Sequence, residues 1–215
     1  HKVISQRPDC RMDPKTAPWV LQGVFSVALV SFLIQLFCFF GLHGANLLAP
    51  ITEGVYTPAL LSNLKVWNTT HSVEEMPYLW TRGSFDAFAM AGGSGCTLAF
   101  LIAIFIFSKR DDQKAIAKLG APMGVFQINE PVIFGIPIVL NPVYFIPWLL
   151  AAPIYAVIAY GFTAMGIIPP VFIQVPWVMP VRIYAFLTTG GNFVVSSKWA
   201  PYRWLKIAGI TAHVY

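Results

Sequence analysis

The chain has 215 residues, is 57% hydrophobic and 15% aromatic, and carries 11% charged residues with a formal net charge of +5. An average soluble domain is about one quarter charged, so a mean hydropathy of +0.66 points to a membrane protein and against a soluble enzyme. The fourteen basic residues are scattered along the chain, which does not describe a nucleic-acid surface, whereas seven tryptophans and eight tyrosines suit the aromatic belts of a bilayer.

Residues 1–18 form a polar, prolyl tail with no apolar core of a signal peptide. Cys10, Cys38 and Cys96 lie far apart, make no CxxC pair, and predict neither a zinc site nor a disulfide framework. The uncharged run 19–42 exceeds the roughly 20 residues that cross a hydrocarbon core, and it predicts a spanning helix. Residues 43–86, with Pro50, Pro58 and several charges, are too polar to span; they predict a long connection with a partly inserted apolar piece over 55–64.

The run 87–107 is the second expected span. Its "GGSG", at 92–95, lacks the Lys-Ser/Thr of a phosphate-binding loop and reads instead as small residues allowing close helix packing. The stretch 108–120 is rich in Lys and Arg, which places it on the cytoplasmic side, together with the basic 1–18 tail if two helices intervene. Residues 127–142, "QINEPVIFGIPIVLNP", are apolar but broken by Pro131, Pro137 and Pro142 around one carboxylate, Glu130. A third span over 143–168 contains Pro147 and Pro153, and a second broken apolar segment runs over 169–191. Paired interrupted segments are a pointer to the binding site of a secondary transporter. Residues 192–215 mix bases and aromatics, as either an interfacial end or the stump of a further helix.

The expected fold is therefore an all-α membrane protein whose transmembrane helices are joined by two interrupted, hairpin-like re-entrant segments. A transport domain occupies 19–191, between the 1–18 and 192–215 tails.

Glu130 is the first candidate for chemistry. A charge at bilayer depth costs roughly 2.5–3.5 kcal/mol on insertion scales, so the side chain is expected to face a cavity or a partner. Pro131 beside it also suits a capping acid at the start of a half-helix, and the two roles are compatible. His43, at the end of the first span, reads either as a helix-end cap or as one of a polar set with Asn46 and Glu130 suited to hydroxyl groups. Trp177, between Pro176 and Pro180, would stack on a sugar ring or anchor at the interface. His43 and His71 lack ligand spacing, so neither a metal nor a cofactor is expected.

Four stretches carry a family resemblance: "GLHGAN" at 41–46, "FDAFAMAGGSGCTL" at 85–98, "INEPVIFGIPIVLNPVYFIPWLLAAP" at 128–153 and "VPWVMPVRIYAFLTTGG" at 175–191. In order and spacing they resemble enzyme IIC, the membrane permease of the bacterial sugar phosphotransferase system, in its lactose/cellobiose/diacetylchitobiose branch. The resemblance implies a homodimeric, multi-pass inner-membrane transporter that holds a β-linked disaccharide of cellobiose, chitobiose or lactose type. The sugar is phosphorylated on arrival by the phosphocysteine of enzyme IIB, which IIA supplies. None of Cys10, Cys38 and Cys96 is implied as that cysteine.

By match to the motifs, His43, Asn46, Asn129, Glu130 and Trp177 are the implied sugar-binding residues. Glu130 is also the implied catalytic group, as general base for the accepting hydroxyl. The chain departs from the family pattern at Gln127, usually Asn, and at Val178 and Met179, usually threonines. Fewer hydroxyls in a sugar pocket would weaken binding or change the preferred sugar. Family members are longer, so the chain reads as their C-terminal transport half. The alternative reading is a truncated, non-transporting membrane structural or assembly partner.

Overall fold

The structure, a computed structural model, describes residues 22–90 and 92–192. The expected 1–18 tail, the first residues of the 19–42 span and nearly all of the 192–215 tail lie outside the described residues.

Helix α1 (Val24–Phe39) forms from an uninterrupted apolar run and ends where Gly41 takes a left-handed turn, φ 80°. Gly41 N–H donates to the Cys38 carbonyl at 3.0 Å, and Leu42 N–H donates to Phe37 at 3.0 Å. These two bonds satisfy the last carbonyls of the helix in a Schellman cap, which glycine permits because it has no Cβ. The chain reverses at once into the short α2 (Gly44–Leu47). A Cβ at Gly44 would fall on the Ile34 carbonyl, so glycine lets α2 sit directly against α1.

The stretch expected as a polar connection, 43–86, is largely helical. It contains α3 (Ala49–Ile51), a π-helical turn (Thr52–Tyr56) and α4 (Thr57–Thr70). Pro50 and Pro58 do not break it, because both occupy first-turn positions where a missing N–H is harmless. Asn63, fully buried, takes up backbone groups from two other segments: its amide donates to the Tyr78 carbonyl at 2.8 Å and to the Val171 carbonyl at 3.5 Å, and accepts from Tyr78 N–H at 3.2 Å.

The run 87–107 is interrupted rather than one smooth helix, within the stretch Arg82–Phe107 that is long and apolar enough to cross a membrane. Helix α5 (Arg82–Ser84) leads into a π-helical turn (Phe85–Ala89), and the chain then opens at Met90. After a tight turn at Ser94–Cys96 it resumes as α6 (Thr97–Phe107). Gly93 adopts φ 98°, and a Cβ there would collide with the Asn129 side chain. The glycines thus do allow close packing, but as a break in the backbone rather than along a smooth helix.

Helix α7 (Asp111–Val125) carries the exposed charged residues. It ends in a second Schellman cap with Gln127 in the left-handed position, φ 66°. Gln127 N–H donates to Gly124 and Ile128 N–H to Met123. Helix α8 (Glu130–Gly135) follows, then irregular backbone, then α9 (Pro142–Ala164) with Asn141 as its cap and Pro147 and Pro153 inside. α9 has 23 residues, a length sufficient to cross a bilayer.

Helix α9 packs along α1. The Trp148 indole N–H donates to the Gln35 carbonyl at 3.3 Å, and Ala152, Ala156 and Ala159 are fully buried. Small residues at such a contact let backbones approach, so dispersion rather than water exclusion holds helices together in lipid. Residues 169–180 are non-helical. They are pinned where Thr81 Oγ1 donates to the Val171 carbonyl at 3.0 Å and where Phe172 and Ile173 N–H donate to Thr188 at the end of α10 (Val181–Thr188). No strand occurs among the described residues.

Candidate functional site

The cap that ends α1 also delivers His43. Two residues after Gly41, His43 becomes the N-cap of α2, with Nδ1 accepting from Asn46 N–H at 3.3 Å. A neutral imidazole with Nδ1 as acceptor carries its proton on Nε2. That Nε2 lies 3.9 Å from Glu130 Oε1. The separation is too long for a direct hydrogen bond and fits one bridging hydroxyl. Both side chains are about half exposed, at 56% and 48%, so the pair by itself contributes little to stability and is open to a ligand.

Glu130 comes from the first turn of α8, with Asn129 as the preceding cap residue and Pro131 in the first turn. No side-chain cap hydrogen bond is made at this terminus; Glu130 stands in the first turn and lines the cavity described below. Asn129 is buried, and its amide nitrogen donates to the Ser94 carbonyl at 2.8 Å and to Thr97 Oγ1 at 2.9 Å. These bonds tie α8 to the 90–96 break and occupy the amide's donors, leaving Oδ1 for a ligand.

A single cavity of about 190 Å³ is lined by His43, Asn46, Asn129, Glu130 and Trp177, five residues from three separate segments. Ala45, Met90, Gly93 and Ser94 complete its wall, along with Gln127, Arg82 and Asp86. Trp177 is 54% exposed. Its loop is tied to the α7 cap by Gln127 Nε2, which donates to the Met179 carbonyl at 3.0 Å.

Sequence reasoning missed Arg82 and Asp86. Arg82 Nη1 donates to Asp86 Oδ2 at 2.9 Å, one helical turn away, and Nε donates to Glu53 Oε1 at 2.9 Å. The signal was present: an acid and a base four apart in "TRGSFDAF", inside apolar sequence, is the spacing of a helical ion pair. The Thr57 hydroxyl, donating to Glu53 Oε2 at 2.6 Å, holds the Glu53 carboxyl below its ordinary range, with Arg82 adding to the effect against partial burial. Phe85, three residues further on from Arg82, meets Tyr56 and Trp80 edge-on at 4.9 and 5.5 Å. Among the described residues no group of three or more His, Cys, Asp and Glu side chains has the arrangement of a metal site.

The site is thus a half-open cleft with a histidine donor, carboxylate acceptors, a guanidinium and an indole face. Hydroxyl groups both donate and accept, and such a mixed set binds them well.

A sequence model of the family described as "Phosphotransferase system, EIIC" matches residues 20–152, more than half of the chain. The chain is 43% identical over 187 residues to the cellobiose-specific EIIC component of Lactococcus lactis subsp. lactis (strain IL1403), covering 79% of this chain and 38% of that protein. It is 32% identical over 169 residues to the oligo-beta-mannoside-specific EIIC component of Bacillus subtilis (strain 168), covering 78% and 38%. In three dimensions it is similar to the crystal structure of the transporter ChbC, the IIC component of an N,N'-diacetylchitobiose-specific phosphotransferase system. That match has a TM-score of 0.84 at 23% identity and covers 91% of this chain and 45% of ChbC. The chain therefore spans about 38% of the length of the curated relatives it matches.

Proposed function

The chain belongs to the EIIC family of the phosphotransferase system, whose members are integral membrane permeases, and from that premise we propose that it is the sugar-binding part of a permease for a β-linked disaccharide. Cellobiose and oligo-β-mannosides, named for the two relatives, share that linkage chemistry. In this reading the chain is a multi-pass protein of the bacterial plasma membrane, and the full-length protein is a homodimer that works with enzyme IIB and, upstream, IIA.

The observation that carries the reading is the 3.9 Å gap between His43 Nε2 and Glu130 Oε1 in a cavity that Trp177 also lines. A sugar hydroxyl in that gap accepts a hydrogen bond from His43 Nε2–H and donates its own to Glu130. When the phosphocysteine of enzyme IIB approaches, the hydroxyl oxygen forms the new bond to phosphorus and the P–S bond breaks. The thiolate leaves with the electron pair of that bond. Glu130 takes the hydroxyl proton, the general-base role that hydrogen-bond reach permits. The indole of Trp177 supplies a face for the apolar side of a pyranose.

Titration of the purified chain in lipid nanodiscs with cellobiose tests this reading. Saturable binding that Glu130→Gln weakens about tenfold or more supports it. Undiminished affinity in that variant overturns the role of Glu130. Absence of any saturable sugar binding by the unaltered chain favours the non-transporting membrane partner.

A further inference from the structure

Helix α7 begins charged and ends apolar, and both halves share one outward face. Ala115, Lys118, Leu119, Pro122, Met123 and Phe126 are all exposed, at the spacing of a single stripe along a helix. The opposite face is occupied: Ala117, Gly120 and Gly124 are buried, and a Cβ at Gly124 would strike Leu101 of α6, one at Gly120 Val132 of α8. Leu119 is 75% exposed and Phe126 49%, which is costly in water and neutral against acyl chains. We propose that this stripe binds an anionic phospholipid, with the headgroup on Lys114 and Lys118 and an acyl chain along Leu119, Met123 and Phe126.

The charges support this assignment. Arg110 is taken up by Asp112 at 2.7 Å, whereas Lys109, Lys114 and Lys118 make no ion pair among the described residues. Lys114 and Lys118 stand one helical turn apart, so their ammonium groups can meet on one phosphodiester. Long lysine stems cover apolar surface while the heads stay at the polar boundary. Along α7 the order is therefore acids and bases, then two lysines, then hydrocarbon, which is the order met from water through headgroups into a bilayer. The chain belongs to an integral membrane family, so the apolar strip beyond Lys118 meets acyl chains rather than a soluble partner. The same helix ends at Gln127, whose amide holds the Met179 carbonyl, so a lipid on the stripe adjoins the frame of the candidate site.

The test titrates the full chain in neutral detergent with phosphatidylglycerol and with phosphatidylcholine of the same acyl chains, and reads the lipid retained by native mass spectrometry. The ratio of the two affinities is the readout, because a folding defect lowers both together. A basic residue near an anionic surface is worth about fivefold in affinity, so the unaltered chain is expected to prefer phosphatidylglycerol by roughly twentyfold. The double substitution Lys114→Gln with Lys118→Gln should bring that preference close to one, while Leu119→Ser with Met123→Ser should weaken both lipids and keep the ratio. Equal affinities in the unaltered chain, or a preference that survives loss of both lysines, overturns the proposal. Glycerol phosphate competing as well as the intact lipid also overturns it, since the site would then be one for a free phosphate. A sugar titration is not involved, so the outcome is independent of the sugar-binding reading.

Discussion

Gln127 Nε2 donates to the Met179 carbonyl at 3.0 Å, joining the two irregular segments of the chain across the mouth of the candidate site. Gln127 reaches this partner from a left-handed backbone, φ 66°, in a cap position that usually holds glycine. The left-handed conformation costs a residue with a Cβ roughly 1–2 kcal/mol. The bond to Met179, and through it the placement of Trp177, is what that strain secures.

Gln127→Gly therefore separates folding from positioning. Glycine relieves the backbone strain, so thermal stability in detergent is expected to hold or rise slightly. Loss of a hydrogen bond of about 0.5–1.5 kcal/mol frees the Trp177 loop, and cellobiose affinity by calorimetry is expected to fall about 2–10-fold. Equal affinity in the variant would show that the bond does not position Trp177.

Glu130→Gln keeps the shape of the side chain and removes its charge. Hydrogen bonds to charged groups are worth about 1.5–3 kcal/mol, so sugar affinity should drop about 10–150-fold, and phosphoryl transfer should vanish with the base. His43→Ala should lower affinity as well. Because one hydroxyl is proposed to bridge both residues, the double variant should lose less than the sum of the single losses. Strict additivity in that cycle would separate the two residues.

Asn129 is a brace as much as a wall residue. Asn129→Ala deletes its bonds to Ser94 and Thr97, at about 0.5–1.5 kcal/mol each, while the Ser94 carbonyl keeps its bond from Thr97 Oγ1. A lower thermal midpoint is expected. Gly93→Ala should behave similarly, because its Cβ would collide with the same amide from a backbone at φ 98°. Unchanged unfolding of both variants would dissociate the 90–96 break from α8.

The cleft as a whole sets three carboxylates, Glu53, Asp86 and Glu130, against the single guanidinium of Arg82. Like charges a few ångströms apart repel by several kcal/mol even at an effective dielectric of about 20. A phosphorylated disaccharide is thus expected to bind at least about tenfold more weakly than the unmodified sugar, with the difference narrowing in high salt. Such repulsion would favour release of product over its return. Equal affinities at low salt would remove the electrostatic argument.

Part of this site was legible in one dimension. Glu130 stood out because a carboxylate among prolines and apolar residues is costly in lipid, and His43 because it closes an apolar run beside two glycines. The break at 90–96 was not, since "GGSG" has the same composition whether it packs a straight helix or opens one. The gap at Leu98, Asn129 and Trp148 that the glycines fill belongs to other segments. The helices in 43–86 were hidden for a different reason: the residues are polar enough for a connection, and tertiary partners such as Tyr78 for Asn63 hold them in place.

By itself, the sequence determined the membrane setting, the all-helical class and the residues whose polarity demanded a cavity, because these follow from local composition and the energy of placing charge in lipid. Only the tertiary structure decided which of them meet. The His43–Glu130 gap, the Gln127–Met179 bond and the Glu53–Arg82–Asp86 clamp each join groups by distance, and through-space distance is set by packing rather than by position along the chain. The sum of that packing turns scattered polar residues into a cleft.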